Sequence, residues 1–310
     1  MTRPVTVGLD GSPESRAAAE WAAGEARRLG LPLKLVQVWE PVPDPMVQAP
    51  MLGTEVHQHW TERILREVAE GVRESHPGLD VSTEQLSGRP ADVLVSAAED
   101  AELLALGSRG LSGIGGFVIG SVGLSVVAHA GRPVVLVRAG AQAADVRAGA
   151  PAADPHGTDP AGAPSTAKGA RPVVLGLDTD GPDDRLIEFA FAAAARRGTS
   201  LRVVHGWNPP PYYAYGLAVD PALQTDLARG ASARLTEILN PWRTKFPEVR
   251  VIEESRYGNP GTHLVDASGE ACLLVVGRRV RRSPLGARIG SVAHAVLHHS
   301  TAPVAVVPHD

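Results

Sequence analysis

Residues Leu103–Arg138, LLALGSRGLSGIGGFVIGSVGLSVVAHAGRPVVLVR, decide the fold. The stretch begins with a strand-like apolar run, Leu103–Leu106, and breaks into a loop holding Gly107, Gly110, Gly113, Gly115 and Gly116. Gly120-Ser121 then opens a helical pattern, and Pro133–Val137 is a second apolar run. The order is strand, glycine-rich loop, helix, strand. Glycines let a backbone approach an anion without Cβ interference. A helix starting at Gly120-Ser121 would aim free N–H groups and the positive end of its dipole at that anion. The chemistry that fits is the phosphate chain of a nucleotide.

Rival phosphate and nucleophile motifs fail on their spacing. No Gly-Lys pair occurs in the chain, which excludes a Walker P-loop. The dinucleotide fingerprint started by Gly113-x-Gly115 meets Val118 where its third glycine belongs. A nucleophile elbow started by Gly110-Leu-Ser112 meets Ile114 instead of glycine. What remains is Gly107-x-x-Gly110, nine residues, then Gly120-Ser121.

Upstream, Val5–Leu9 is β-prone and ends at Asp10-Gly11-Ser12-Pro13. Glu14–Leu29 has helical spacing, with Ser12 or Ser15 as cap and Gly30 as stop. Leu33–Trp39 reads as a second strand, and the Pro-rich segment Pro41–Pro50 leads into a helix with Trp60, Ile64, Val68 and Val72 on one face. Val81–Leu86 is a third strand, Gly88-Arg89-Pro90 a turn and Ala91–Ala101 a helix. Strands alternating with helices predict a parallel sheet covered on both faces.

Between Ala139 and Ala170 the chain is Ala, Gly, Pro and Asp with few large apolar residues, the composition of a flexible linker. Then the pattern restarts. VVLGLD (Val173–Asp178) repeats VTVGLD (Val5–Asp10), and LRVVHGW (Leu201–Trp207) repeats LKLVQVW (Leu33–Trp39), both at an offset of 168. Gly258-Asn-Pro260, LLVVGRR (Leu273–Arg279) and GSVAHAVLHHSTAPVAVV (Gly290–Val307) follow their counterparts Gly88-Arg-Pro90, LLALGSR and Gly120–Val137 at an offset of 170. This is a tandem duplication. It predicts two doubly wound, Rossmann-like α/β domains, 1–138 and 171–310, each with a five-stranded parallel sheet flanked by helices.

A doubly wound sheet binds its ligand beyond the carboxyl ends of its strands, where strand order reverses. Asp10 would accept hydrogen bonds from a ribose there, and the backbone near Val38 would face an adenine edge. The loop Gly107–Gly116 would lie along the phosphates, with Gly120, Ser121 and Val122 capping them, and Arg109 could pair with one. With the duplication, the spacing Gly107-x-x-Gly110-x9-Gly120-Ser121 resembles the ATP-binding pattern of the universal stress proteins, a family related to adenine-nucleotide alpha hydrolases. The resemblance covers both halves and leaves out the linker. It implies ATP contacts, with Mg²⁺ as a possible companion, at Gly8, Asp10, Val38, Gly107, Ser108, Arg109, Gly110, Leu111, Ser112, Gly113, Gly120, Ser121 and Val122. In the second half it implies Gly176, Asp178, Gly206, Gly277, Arg279, Gly290, Ser291 and Val292. A role in stress or growth-arrest physiology is implied by the resemblance alone.

The second half departs from the pattern at Val280, which stands where the second motif glycine belongs. A β-branched residue resists positive φ and crowds a phosphate. Arg278, Arg279, Arg281, Arg282 and Arg288 make that loop cationic. Either arginines replace backbone amides as phosphate donors, or the loop serves another partner.

The remaining features bound the function. Hydrophobic residues at 44% and aromatic residues at 4% predict an aliphatic core. A net charge of −4 gives no reason to expect nucleic acid. Cys272, the single cysteine, lies in an apolar run and suits a reducing cytoplasm. Gly110–Gly131 is 22 residues without Lys, Arg, Asp or Glu, but its glycines and serines argue against a membrane helix. His294 and His298 share a helix face without a carboxylate or cysteine motif, so no metal site is expected. Tyr212, Tyr213 and Tyr215 suit a lid or interface. No paired acid and base or activated nucleophile is evident, which favours a nucleotide-binding regulator over an efficient enzyme. The alternatives are an interaction module without nucleotide and an ATP-using hydrolase or adenylating enzyme. The apolar last strands, Val134–Val137 and Val304–Val307, could pair domains or form a homodimer.

Overall fold

The computed structural model describes residues 2–40, 52–108, 120–140, 170–208, 221–280 and 289–310. The first half alternates β1 (Val5–Leu9), α1 (Pro13–Leu29), β2 (Leu33–Trp39), α2 (Leu52–Ser75), β3 (Val81–Ser87), α3 (Pro90–Glu99), β4 (Leu103–Ser108), α4 (Ser121–His129) and β5 (Val134–Arg138). The second half repeats it with β6 (Val173–Gly176), α5 (Asp184–Arg197), β7 (Leu201–Trp207), α6 (Pro221–Lys245), β8 (Val251–Tyr257), α7 (Pro260–Ser268), β9 (Leu273–Arg279), α8 (Ser291–His299) and β10 (Val304–His309). Strands run parallel within each half, in the orders β3-β2-β1-β4-β5 and β8-β7-β6-β9-β10. The doubly wound fold expected from the repeat is the observed one. Most of the Ala139–Ala170 segment, Pro41–Pro50 and Tyr212–Tyr215 lie outside the described residues.

Local chemistry sets the element ends. Ser12 accepts a hydrogen bond from the Ser15 N–H at 3.1 Å, Pro13 takes the first helical position, and Gly30 closes α1 at φ 65°. Asp183 and Gly198 do the same for α5. Helix α3 starts at Pro90, one residue before the sequence-based expectation, because proline is pre-organised for the first turn and lacks only an N–H that has no helical partner there.

The two sheets are one. Strands β5 and β10 pair antiparallel, Val134 with Val306, Val135 with Ala305 and Leu136 with Val304, giving a continuous ten-stranded sheet. Val135 and Ala305 are counterparts at the 170 offset, so a local two-fold axis passes through that pair. An exposed apolar edge is a template for association, and each half here covers the other's. One face of the sheet packs a cluster including Val7, Leu35, Phe191 and Leu235; the other packs Val36, Leu94, Leu264 and Val296. Cys272 is buried at the entry to β9. No described helix is long and apolar enough to cross a membrane.

Polar groups bridge the junction on both faces. On one, Glu25 of α1 meets Arg197 of α5 at 2.6 Å, with Arg28 at 3.5 Å and Arg196 at 3.8 Å. On the other, Arg138 donates to the Leu297 carbonyl at 3.1 Å, and Arg278 donates to the Ala130 carbonyl. Burial pushes the Arg138 guanidinium down to about 10. Burial also lowers Arg196, against the opposing effect of Glu25. Arg278 therefore does not belong to the exposed cationic loop in which the sequence grouped it. Its head is committed to the other half's backbone.

Candidate functional site

Strand β1 lies between β2 and β4, so strand order reverses beside it, at the crevice between β1 and β4. A cavity of about 300 Å³ opens at that point. Gly8, Leu9 and Asp10 reach it from β1, Val38 from β2, Leu106 and Gly107 from β4, and Gly120–Gly123 from the start of α4. Pro90 and Leu94 of α3 form an apolar wall. Asp10 is the one titratable group lining it among the described residues. Its Oδ1 accepts from the Ser12 N–H at 3.0 Å and the Ser12 hydroxyl at 2.5 Å. The residue that caps α1 thus also holds the Asp10 carboxylate.

Helix α4 begins at Gly120 without a side-chain cap, and its first backbone bond runs from the Leu124 N–H to the Gly120 carbonyl. The earliest N–H groups of a helix have no intrahelical partner. Those of Ser121, Val122 and Gly123 belong to residues that line the cavity. Gly120 has φ −60° and ψ 152°, and a Cβ there would meet nothing within 4 Å. Packing does not require glycine at this position.

Gly107 is different. A Cβ there would stand 2.5 Å from the Ser15 nitrogen and 2.6 Å from the Glu14 carbonyl carbon. The start of α1 lies so close on β4 that only glycine fits, which gives this motif glycine a reason in the fold itself. We expect Gly107→Ala to destabilise the ligand-free protein by about 1–3 kcal/mol, the usual range for overpacking. Gly120→Ala should stay within about 0.5 kcal/mol of wild type. Urea unfolding of the two variants checks this, and equal effects would sink it.

The second half has a cavity of about 600 Å³ lined by the counterparts Gly176, Asp178, Gly206, Gly277, Gly290, Ser291 and Val292, with Pro260 and Leu264 in place of Pro90 and Leu94. Two contacts fall at its motif positions. The Arg279 guanidinium lies 3.7 Å from the Asp178 carboxylate. Strand β10 also runs on to His309, opposite Arg279, and the Val280 N–H donates to the His309 carbonyl at 2.6 Å. The amide at the altered motif position is thus already taken by the chain's own last strand. In the first half the corresponding Arg109 and Gly110 lie outside the described residues.

Of the residues singled out by sequence, Ser108 is buried at the end of β4 and does not line the cavity. Arg109, Gly110, Leu111, Ser112 and Gly113 lie outside the described residues, as do Arg281, Arg282 and Arg288. Leu94, Leu264, Asn208 and His309 were not foreseen as lining residues. The paired Gly-x-Pro turns that open α3 and α7 were a signal for the first two, since both helices start at the cavity. The rings of His294 and His298 lie 4.3 Å apart, and no cluster of three metal-ligating side chains occurs among the described residues.

Known proteins agree with this architecture. A model of the universal stress protein family matches residues 1–138 and 169–308. A universal stress protein of Mycolicibacterium smegmatis is 31% identical over 314 residues, covering 98% of this chain and 96% of the relative. Another, from Mycobacterium tuberculosis H37Rv, is 30% identical over 309 residues, covering 97% and 96%. The crystal structure of a universal stress protein from Archaeoglobus fulgidus covers all of both chains with a TM-score of 0.68 at 18% identity, a likeness of fold.

Proposed function

The chain belongs to the universal stress protein family, and on that premise we propose that its two cavities bind adenine nucleotides, ATP with Mg²⁺ in the first. The observation that carries this reading is the convergence of Asp10, Val38 and the uncapped start of α4 on one cavity at the strand-order reversal. The donor set fits the ligand. Asp10 supplies an acceptor for ribose hydroxyls, and the backbone at Val38 pairs with the adenine edge. Leu94 and Leu106 give the base an apolar wall, and the N–H groups of Ser121, Val122 and Gly123 take phosphate oxygens. Mg²⁺ would be held by the phosphates.

Asp10 is the one titratable group lining the first cavity among the described residues, and no activated nucleophile stands beside it there, so the role assigned to the site is binding, with slow hydrolysis at most. Occupancy would act through conformation or assembly, in a stress-response role in the cytoplasm. A second reading confines nucleotide to the first half. The Asp178–Arg279 contact and the bond from Val280 to His309 favour it, because both occupy groups that a nucleotide would need. Titration calorimetry with Mg·ATP separates the two by stoichiometry, near two or near one. At a hundred times Kd, ATP should stabilise each occupied half by about 2.7 kcal/mol in a thermal melt. Absence of both heat and shift with ATP, ADP and AMP would leave an interaction module instead.

A further inference from the structure

We propose that the junction is keyed by charge, so that a second half of the chain pairs with a first half and not with another second half. Backbone pairing alone does not make this choice. Strands β5 and β10 present similar apolar edges about a local two-fold axis, and either could pair with a copy of itself. The discriminating ion pair lies one layer away, where α1 meets α5.

Equivalent positions on these helices are 168 apart, as their closing glycines Gly30 and Gly198 show. The counterpart of Glu25 is Ala193, and that of Arg197 is Leu29. The acid therefore exists only in the first half, and the arginine that meets it at 2.6 Å only in the second. Both are buried, with side-chain exposures of 2% for Glu25 and 7% for Arg197. Two first halves about the same axis would set each Glu25 against Leu29 of the other copy where Arg197 now stands, leaving it Arg28 of its own helix at 3.5 Å and the other copy's Arg28 at the more distant place that Arg196 holds at 3.8 Å. Two second halves would set each Arg197 against Ala193. The second-half pairing buries two Arg197 side chains with no acid to meet them, a heavier penalty than an exposed mismatch, and the first-half pairing loses the 2.6 Å contact. Specificity of this kind rests on what the wrong partner leaves unpaired.

The test uses the full chain in four forms: wild type, Glu25→Arg, Arg197→Glu and the double exchange. The 32 residues from 139 to 170 could span roughly 110 Å when extended, enough for halves of two chains to exchange. Glu25→Arg and Arg197→Glu chains are unfolded together, refolded, and weighed by native mass spectrometry. Each single variant buries like charges in its own junction. In the mixture, the first half of one chain complements the second half of the other at both junctions. We expect a one-to-one assembly of twice 32.4 kDa, at least tenfold more abundant than in wild type or either variant alone. The double exchange should return to a single-chain species with the wild-type melting temperature. Rescue in the double exchange without a mixed assembly would reduce the contact to an ordinary ion pair and overturn the proposal. So would single variants that stay closed monomers of wild-type stability, or a double exchange that fails to recover.

Discussion

Gly120→Asp should lower ATP affinity at the first cavity by about 100- to 1000-fold while leaving the ligand-free fold as stable as wild type or slightly more so. The opposite signs follow from one position. Gly120 has extended backbone angles and open space where a Cβ would go, so the substitution brings no strain. Aspartate is a favoured N-cap, worth up to about 1 kcal/mol over residues that cannot cap. Its carboxylate would bond to the same N–H groups of α4 that the proposal gives to the phosphates. It would also place a negative charge beside them, and two like charges 4 Å apart repel by about 4 kcal/mol at an effective dielectric of 20. Calorimetry and thermal melts of the one variant read both effects. Gly290, with φ −68° and the same open space, is the matching position in the second half. If both cavities bind, each substitution halves the stoichiometry. Unchanged ATP affinity in Gly120→Asp would remove α4 from the site.

The largest loss of stability is expected from Glu25→Gln. The substitution keeps size and shape but removes the counter-charge of Arg197 and Arg196 inside the junction. Breaking a buried pair from one side costs about 3–5 kcal/mol, because the remaining charge stays buried. The exposed Glu67, near Arg16 at 3.5 Å and Arg63 at 3.4 Å, provides the contrast. Glu67→Gln should lose no more than about 1 kcal/mol, as surface pairs do. Denaturant unfolding of both variants decides this, and a Glu25→Gln protein within 1 kcal/mol of wild type would show that the junction tolerates an unpaired arginine.

The site was partly readable from sequence. Asp10, Val38 and Gly120 could be brought together in advance because the strand-order rule places the ends of β1, β2 and β4 on one edge whatever the details of packing. Leu94 and His309 could not, because their place in the cavities depends on how α3 and β10 seat against neighbouring strands. Gly107 was recognised for its spacing but understood only through packing, since the atoms that forbid its Cβ belong to α1, more than ninety residues away in the chain.

Sequence by itself determined the tandem doubly wound fold, the strands that make each sheet and the residues at their carboxyl ends. Those follow from short-range signals: alternation of apolar runs, helix caps, stop glycines and a duplicated order. The apolar last strands offered pairing between domains or between subunits, and tertiary structure alone decided that β5 and β10 join the two sheets within one chain, that Glu25 is buried, and that Arg278 turns away from the loop. In its own helix Glu25 reads as one more charged residue beside Arg27 and Arg28. Its burial depends on Arg197, 172 residues further on, and Arg278 finds its acceptor 148 residues back. Neither partner leaves a periodic trace in the sequence, because burial at a junction depends on the surface presented by the other half.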